Sequence, residues 1–142
     1  MLNPNYIVGL VDGEGSFTVY VRNPMIEKKA KRRVKVEPRF YLKLIEKDKS
    51  ILYKLKEFFG CGNVYFQKDT RPNHQNCYRY EVANREYLNK RIIPFFKIHR
   101  LRLPSKQKDF QLFCRLMKMI NKKVYGMPEG LKKMYQIKQQ MH

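Results

Sequence analysis

Asp12-Gly13-Glu14-Gly15 is the segment of this 142-residue chain best suited to chemistry, because its carboxylates stand where a helix gains nothing from them. They close an apolar stretch, Ile7-Val8-Gly9-Leu10-Val11, that reads as a helix over residues 4–13 with Asn3 as N-cap and Pro4 at the first helical position. The C-terminus of a helix carries the negative end of its dipole, and an acid there costs roughly 0.3–1 kcal/mol at an exposed site. Acids set against that field beside two glycines point to a bound cation. The ordinary reading is that Glu14 extends into solvent and Gly15 is a left-handed helix cap.

Other candidate ligands are weaker. Cys61, His74 and Cys77 invite a zinc reading, but they lack the close cysteine pairs of a structural zinc site. The three cysteines read instead as reduced thiols of an intracellular protein. Charge is more informative. Lys and Arg number 31 against 12 Asp and Glu, a net +19, and a domain so basic calls for a polyphosphate partner. The cations cluster: Lys28, Lys29, Lys31, Arg32, Arg33 and Lys35 crowd one segment. Residues 87–108 hold Lys90, Arg91, Lys97, Arg100, Arg102, Lys106 and Lys108 with no acid among them. No helix pairs a basic face with a membrane-anchoring one, and no apolar run approaches the ~20 residues of a membrane span. Nucleic acid is the partner that fits, and no membrane is expected.

The elements that position these groups follow from periodicity. Residues 4–13 are apolar almost all round, which predicts a helix buried on every side. Gly9 and Gly13, four apart, share a face with Tyr6 and Leu10, and two such faces let helix backbones approach closely. Residues 16–22 alternate, with Phe17, Val19 and Val21 inward; residues 39–44 do the same with Phe40, Leu42 and Leu44. A helix over 48–59 stops at Gly60 and Gly62. Strands over 63–68 and 77–82 flank a turn at Arg71, Pro72 and Asn73, and helices follow over about 86–96, 106–120 and 129–139. This is an α+β chain of one domain over residues 1–142. Two hairpins separated by a helix form one antiparallel sheet with helices on its apolar face. The opposite face then carries Ser16, Thr18, Tyr20, Arg22, Arg39, Tyr41, Lys43, Tyr65, Gln67, Arg79 and Glu81. A solvated sheet face would also be polar, but the excess of bases suits side chains that contact phosphates and base edges of double-stranded DNA.

Residues 6–17, Tyr-Ile-Val-Gly-Leu-Val-Asp-Gly-Glu-Gly-Ser-Phe, resemble the signature motif of the LAGLIDADG homing endonucleases. Phe40 to Ile51, Phe58-Phe59-Gly60-Cys61-Gly62-Asn63-Val64, Ile92-Ile93-Pro94-Phe95-Phe96, Ser105-Lys106-Gln107-Lys108-Asp109-Phe110 and Pro128-Glu129-Gly130-Leu131 resemble later segments of the family in the same order. The resemblance implies an αββαββα fold with a curved four-stranded antiparallel sheet. Single-motif members dimerise through their motif helices, which implies a homodimer joined at Tyr6, Gly9, Leu10 and Gly13, with a pseudo-palindromic target. It further implies a site-specific, staggered double-strand break that promotes intron mobility. Glu14 and the Gly13 carbonyl would bind Mg²⁺, with Mn²⁺ able to substitute and Ca²⁺ able to bind without supporting cleavage. Asp12 would be structural, and Lys106 a catalytic cation near the cleavage centre. Many members place Gln near the end of the second strand, where this chain has Leu44 with Glu46 two residues on; that departure touches the outer catalytic shell.

An intron-splicing maturase that binds structured RNA without cutting it is the alternative, since such proteins share the fold; intron RNA is therefore a further expected partner. A basic ribosomal-type RNA-binding domain would explain the charge but not Asp12-Gly13-Glu14-Gly15. No basic leader precedes the first apolar stretch, so the expected location is a prokaryotic cytoplasm or an organelle, mitochondrion or chloroplast. The abundance of Lys, Asn, Ile and Tyr suits an A+T-rich genome.

Overall fold

The computed structural model describes residues 1–25 and 34–142. Of the basic cluster read at residues 28–35, Lys28, Lys29, Lys31, Arg32 and Arg33 lie outside the described residues. The elements are α1 (Pro4–Glu14), β1 (Gly15–Val21), β2 (Val36–Ile45), α2 (Lys49–Phe59), β3 (Asn63–Gln67), β4 (Cys77–Val82), α3 (Arg85–Tyr87), α4 (Ile93–Ile98), α5 (Pro104–Asn121) and α6 (Pro128–Lys138). The strands are ordered β1-β2-β4-β3, and β4 runs antiparallel to both β2 and β3. The expected α+β chain, with two strand pairs separated by a helix, is what the sequence folds into.

The chain forms two compact units, residues 1–16 with 39–103 and residues 17–38 with 104–142. In the first, aromatic rings make the core. Phe40 lies edge-on to Phe59 and Tyr80 at centroid distances of 6.3 and 6.4 Å, and 5.6 Å from Phe96. Such offset and edge-to-face pairs favour the ring quadrupoles as well as burying area. Helix α2 turns Leu52, Leu55 and Phe59 into this core and ends at Gly60, whose φ of 69° is the left-handed cap read from the sequence. The helix expected over 86–96 starts at Arg85, where Asn84 caps it by accepting the Tyr87 N–H at 3.1 Å. It then loosens into a π turn over Leu88–Ile92 before α4. The slip comes just ahead of Pro94, which has no N–H for the i→i−4 ladder.

In the second unit, Phe17 packs edge-on to Phe110 and against Phe113 at 5.1 and 5.4 Å. Strand β1 buries every second residue from Gly15 to Val21. Helix α5 contributes Phe110, Leu112, Phe113, Leu116, Met117 and Ile120 to the interior, and α6 adds Leu131, Met134 and Ile137.

Candidate metal centre and nucleic-acid interface

Helix α1 starts as the sequence indicates: the Asn3 side chain accepts the Asn5 N–H at 2.8 Å, and Pro4 opens the first turn. Its burial corrects the expectation of a helix covered on every side. Only Ile7, Val8 and Val11 are buried; Leu10 is half-buried, Tyr6 is 48% exposed, and Gly9 and Gly13 are exposed. Beyond its own helix backbone and chain neighbours, a Cβ on either glycine would meet no described residue within 4 Å. Among the described residues, the chain covers one side of this mostly apolar helix and leaves open the side where its small residues stand.

Where α1 ends, the two acids part. Asp12 turns back into its own unit and accepts the backbone N–H groups of Arg102 (3.0 and 3.2 Å) and Leu103 (3.2 Å), the two residues before α5. Those donors offset the unfavourable helix field at Asp12. Glu14 is exposed and makes no hydrogen bond or ion pair to any described residue. The next residue, Gly15, is not a left-handed cap: at φ −81° and ψ 158° it is already extended and opens β1. Glycine is required there by crowding, since a Cβ would lie 2.6 Å from Val11 Cγ1 and 2.9 Å from the Val11 carbonyl oxygen.

Lys106 lies in the first turn of α5 and is half-buried. An ammonium there faces the positive end of its helix dipole, as Glu14 faces the negative end of α1. Both candidate catalytic charges thus sit at the electrostatically wrong helix terminus. No group of three His, Cys, Asp or Glu that could hold a metal ion occurs among the described residues. Cys61, Cys77 and Cys114 form no disulfide. Burial pushes the Cys61 thiol up.

The register of the first unit sets the outward residues in rows: Tyr41–Glu81–Asn63, then Lys43–Arg79–Tyr65, then Ile45–Cys77–Gln67 across β2, β4 and β3. Several are already joined. The Arg79 guanidinium lies 3.6 Å from the Tyr41 ring centroid and bonds Glu81 at 2.7 Å; Arg39 reaches Glu81 at 3.7 Å. Arg79 and Glu81 are therefore mostly covered, while Lys43 and Tyr65 are exposed. Asn63, two positions before Tyr65, belongs to the same face by simple alternation, although it was not among the expected outward residues. In β1, Ser16, Thr18 and Tyr20 are half-buried on alternate positions, and Arg22 follows the strand, its N–H given to the Lys35 carbonyl at 2.8 Å. Leu44 falls on the opposite face from Lys43, in register with Tyr78.

A sequence profile described as LAGLIDADG endonuclease matches residues 7–117. The chain belongs to that family. It is 33% identical over 143 residues to probable intron-encoded endonuclease 3 of Neurospora crassa, taking in 99% of this chain and 25% of that protein. It is 28% identical over 120 residues to the homing endonuclease I-ApeII of Aeropyrum pernix, with 84% and 65% covered. The chain thus spans about a quarter of the Neurospora relative. Among solved structures, the homing endonuclease I-TnaI matches with a TM-score of 0.80 at 34% identity, covering 99% of this chain and 88% of that one. I-SmaMI bound to cleaved DNA matches with a TM-score of 0.83 at 31% identity, covering 100% of this chain and 44% of that one. No helix among the described residues is long and apolar enough to cross a membrane.

Proposed function

We propose that this chain is a site-specific homing endonuclease, acting over residues 1–142 as one endonuclease domain. It makes a metal-dependent, staggered double-strand break in a long pseudo-palindromic DNA target and so promotes intron mobility. The observation that carries the reading is Glu14: an exposed carboxylate with no partner among the described residues, ending a helix whose open side bears Gly9 and Gly13. A second copy laying its own α1 on that side, at Tyr6, Gly9, Leu10 and Gly13, brings the two Glu14 carboxylates together. Two such charges repel unless a cation joins them.

The donor chemistry fits Mg²⁺, which takes one or two carboxylates and fills its shell with water and phosphate oxygens. Glu14 and the Gly13 carbonyl would hold it, with the remaining ligands from the second copy and the DNA. When bound, the metal polarises the scissile phosphate and supplies activated water. The chain's own part is positioning. Asp12 fixes the residues ahead of α5, Lys106 offers a cation to the charge that develops on the phosphate, and the outward strand residues hold the duplex. Arg22, Arg39 and Lys43 take phosphates, while Ser16, Thr18, Tyr20, Tyr41, Tyr65, Gln67 and the Arg79–Glu81 pair set base preference. Support for a DNA partner and a divalent ion comes from the relative I-SmaMI, solved with cleaved DNA and with an uncleaved target in the presence of calcium ions.

Cleavage of a randomised duplex library with Mg²⁺, against Ca²⁺ and Glu14→Gln controls, tests the reading. Sequence-specific double-strand cuts at a pseudo-palindrome, absent in both controls, are expected. Binding without cutting in Mg²⁺ would overturn it.

A further inference from the structure

A cavity of about 700 Å³ opens in the first unit between α2, the edge strand β3 and the start of α3. That volume lies within the range of built ligand sites. Three tyrosines from three separate elements line it: Tyr53 of α2, Tyr65 of β3 and Tyr87 of α3, exposed by 50%, 47% and 40%. Tyr53 and Tyr87 lie off the sheet and so outside the rows assigned to duplex DNA. Lys56 stands at the same wall and its ammonium makes no ion pair with any described residue. Asn63 and Asn84 add amide groups; Asn84 uses its oxygen to cap Tyr87 and keeps its amide nitrogen available. The remaining charges are Glu57 and Glu81, and Glu81 is taken by Arg79. A purely cationic pocket would suit phosphate alone. Aromatic faces, amide donors and acceptors and one cation suit a base with its phosphate attached, because every nucleobase offers a ring to stack and an edge to hydrogen-bond.

We propose that this cavity binds an unpaired nucleotide, stacking its base on Tyr53 and Tyr87 while Asn63 and Asn84 meet its edge and Lys56 its phosphate. Bases in a duplex are stacked on each other and cannot enter, so the ligand comes from a single-stranded stretch, an RNA loop or bulge or a DNA single strand. The site gives the chain a second nucleic-acid contact beside the sheet. It rests on the reading of the chain as a nucleic-acid binder and not on its cutting DNA.

The test uses the full chain and four variants: Tyr53→Ala, Tyr87→Ala, the double alanine and the double phenylalanine. The probes are an RNA hairpin with an unpaired loop carrying 2-aminopurine, the corresponding single-stranded DNA, and a fully paired DNA duplex. The double alanine variant is expected to bind the RNA hairpin at least about tenfold more weakly and to lose quenching of the loop fluorophore. The double phenylalanine variant keeps both, and duplex affinity stays within about twofold throughout. Equal losses on RNA and single-stranded DNA mean that the base alone is read; a loss confined to RNA adds the 2′-hydroxyl. Unchanged hairpin binding and quenching, or a matching loss on the duplex, would overturn the proposal. Library cleavage of paired DNA by the same variants keeps this outcome separate from that of the endonuclease reading.

Discussion

The Asp12 carboxylate takes the backbone N–H of Arg102 through both of its oxygens, at 3.2 and 3.0 Å, across 90 residues of sequence. With the Leu103 N–H it forms a latch between the end of α1 and the loop ahead of α5. Hydrogen bonds to a charged acceptor are worth more than neutral ones, about 1.5–3 kcal/mol. Asp12→Ala should therefore lower unfolding stability by roughly 1–3 kcal/mol, and Asp12→Asn, which retains one acceptor oxygen, by less. Urea unfolding of the three proteins checks this; an alanine variant as stable as the parent would remove Asp12 from the latch.

Glu14 should behave in the opposite sense. Its charge opposes the helix dipole and gains no partner from the described residues, so Glu14→Gln should raise stability by ~0.3–1 kcal/mol. The same variant should lose DNA cleavage by at least about a hundredfold while binding the target within a few-fold. Thermal melts and cleavage assays on one preparation read both effects. A variant both less stable and fully active would dismiss the assignment of this carboxylate to a metal.

Gly9→Leu separates the fold of one chain from its assembly. Beyond its chain neighbours and its own helix backbone, no described residue stands within 4 Å of the position a Cβ would take, so the monomer should keep its circular dichroism and lose little stability. The proposed helix pair, which needs close backbones, should come apart. Sedimentation should show the parent as a dimer and the variant as a monomer with cleavage lost. A dimeric, active variant would place the interface elsewhere.

The buried Tyr80 hydroxyl donates to the Cys61 carbonyl at 2.9 Å, and burial raises its pKa above the ordinary value of about 10. A group whose folded pKa is raised gives its full stabilisation below the unfolded value and loses it as pH climbs toward the folded one. Stability should therefore fall on the alkaline side of about pH 10, with the raised Cys61 thiol adding to the same decline. Tyr80→Phe should cost ~1–3 kcal/mol at neutral pH by leaving a buried carbonyl unpaired, and it should flatten the alkaline decline. Melting temperatures from pH 7 to 11 measure this, and an unchanged alkaline slope would refute the role given to Tyr80.

Strand alternation is the part of this molecule most legible in its sequence, because burial of one sheet face imposes a strict period of two. Phe17, Val19 and Val21 are inward as read, and the rows of Tyr41, Lys43, Arg79 and Tyr65 follow from the same parity. The error at α1 has a physical source: an apolar side chain reads alike whether its own chain covers it or leaves it open. Tertiary partners were invisible. The donors to Asp12 are backbone groups 90 residues away, and no side-chain pattern marks them. At Gly15, a glycine demanded by crowding from Val11 looks, in sequence, like a glycine demanded by a left-handed turn. The cavity flanked by Tyr53, Tyr65 and Tyr87 was equally hidden, since its walls are 12 and 22 positions apart along the chain.

Not one loop residue separates Glu14 from β1: the helix stops and the strand begins at the next position. The junction works as a ruler with no slack. If Glu14 marks the cut, the first base met by β1 lies at a distance set by covalent geometry and not by side-chain choice. If Ser16, Thr18 and Tyr20 meet bases as proposed, drift or design can change what they meet while the offset between cut and first letter stays constant. A single residue inserted after Glu14 would turn every side chain of β1 to the other face of the sheet. On the proposed reading, target sequences are free to diverge among descendants of this chain, while the offset between the cut and the first contacted base is inherited.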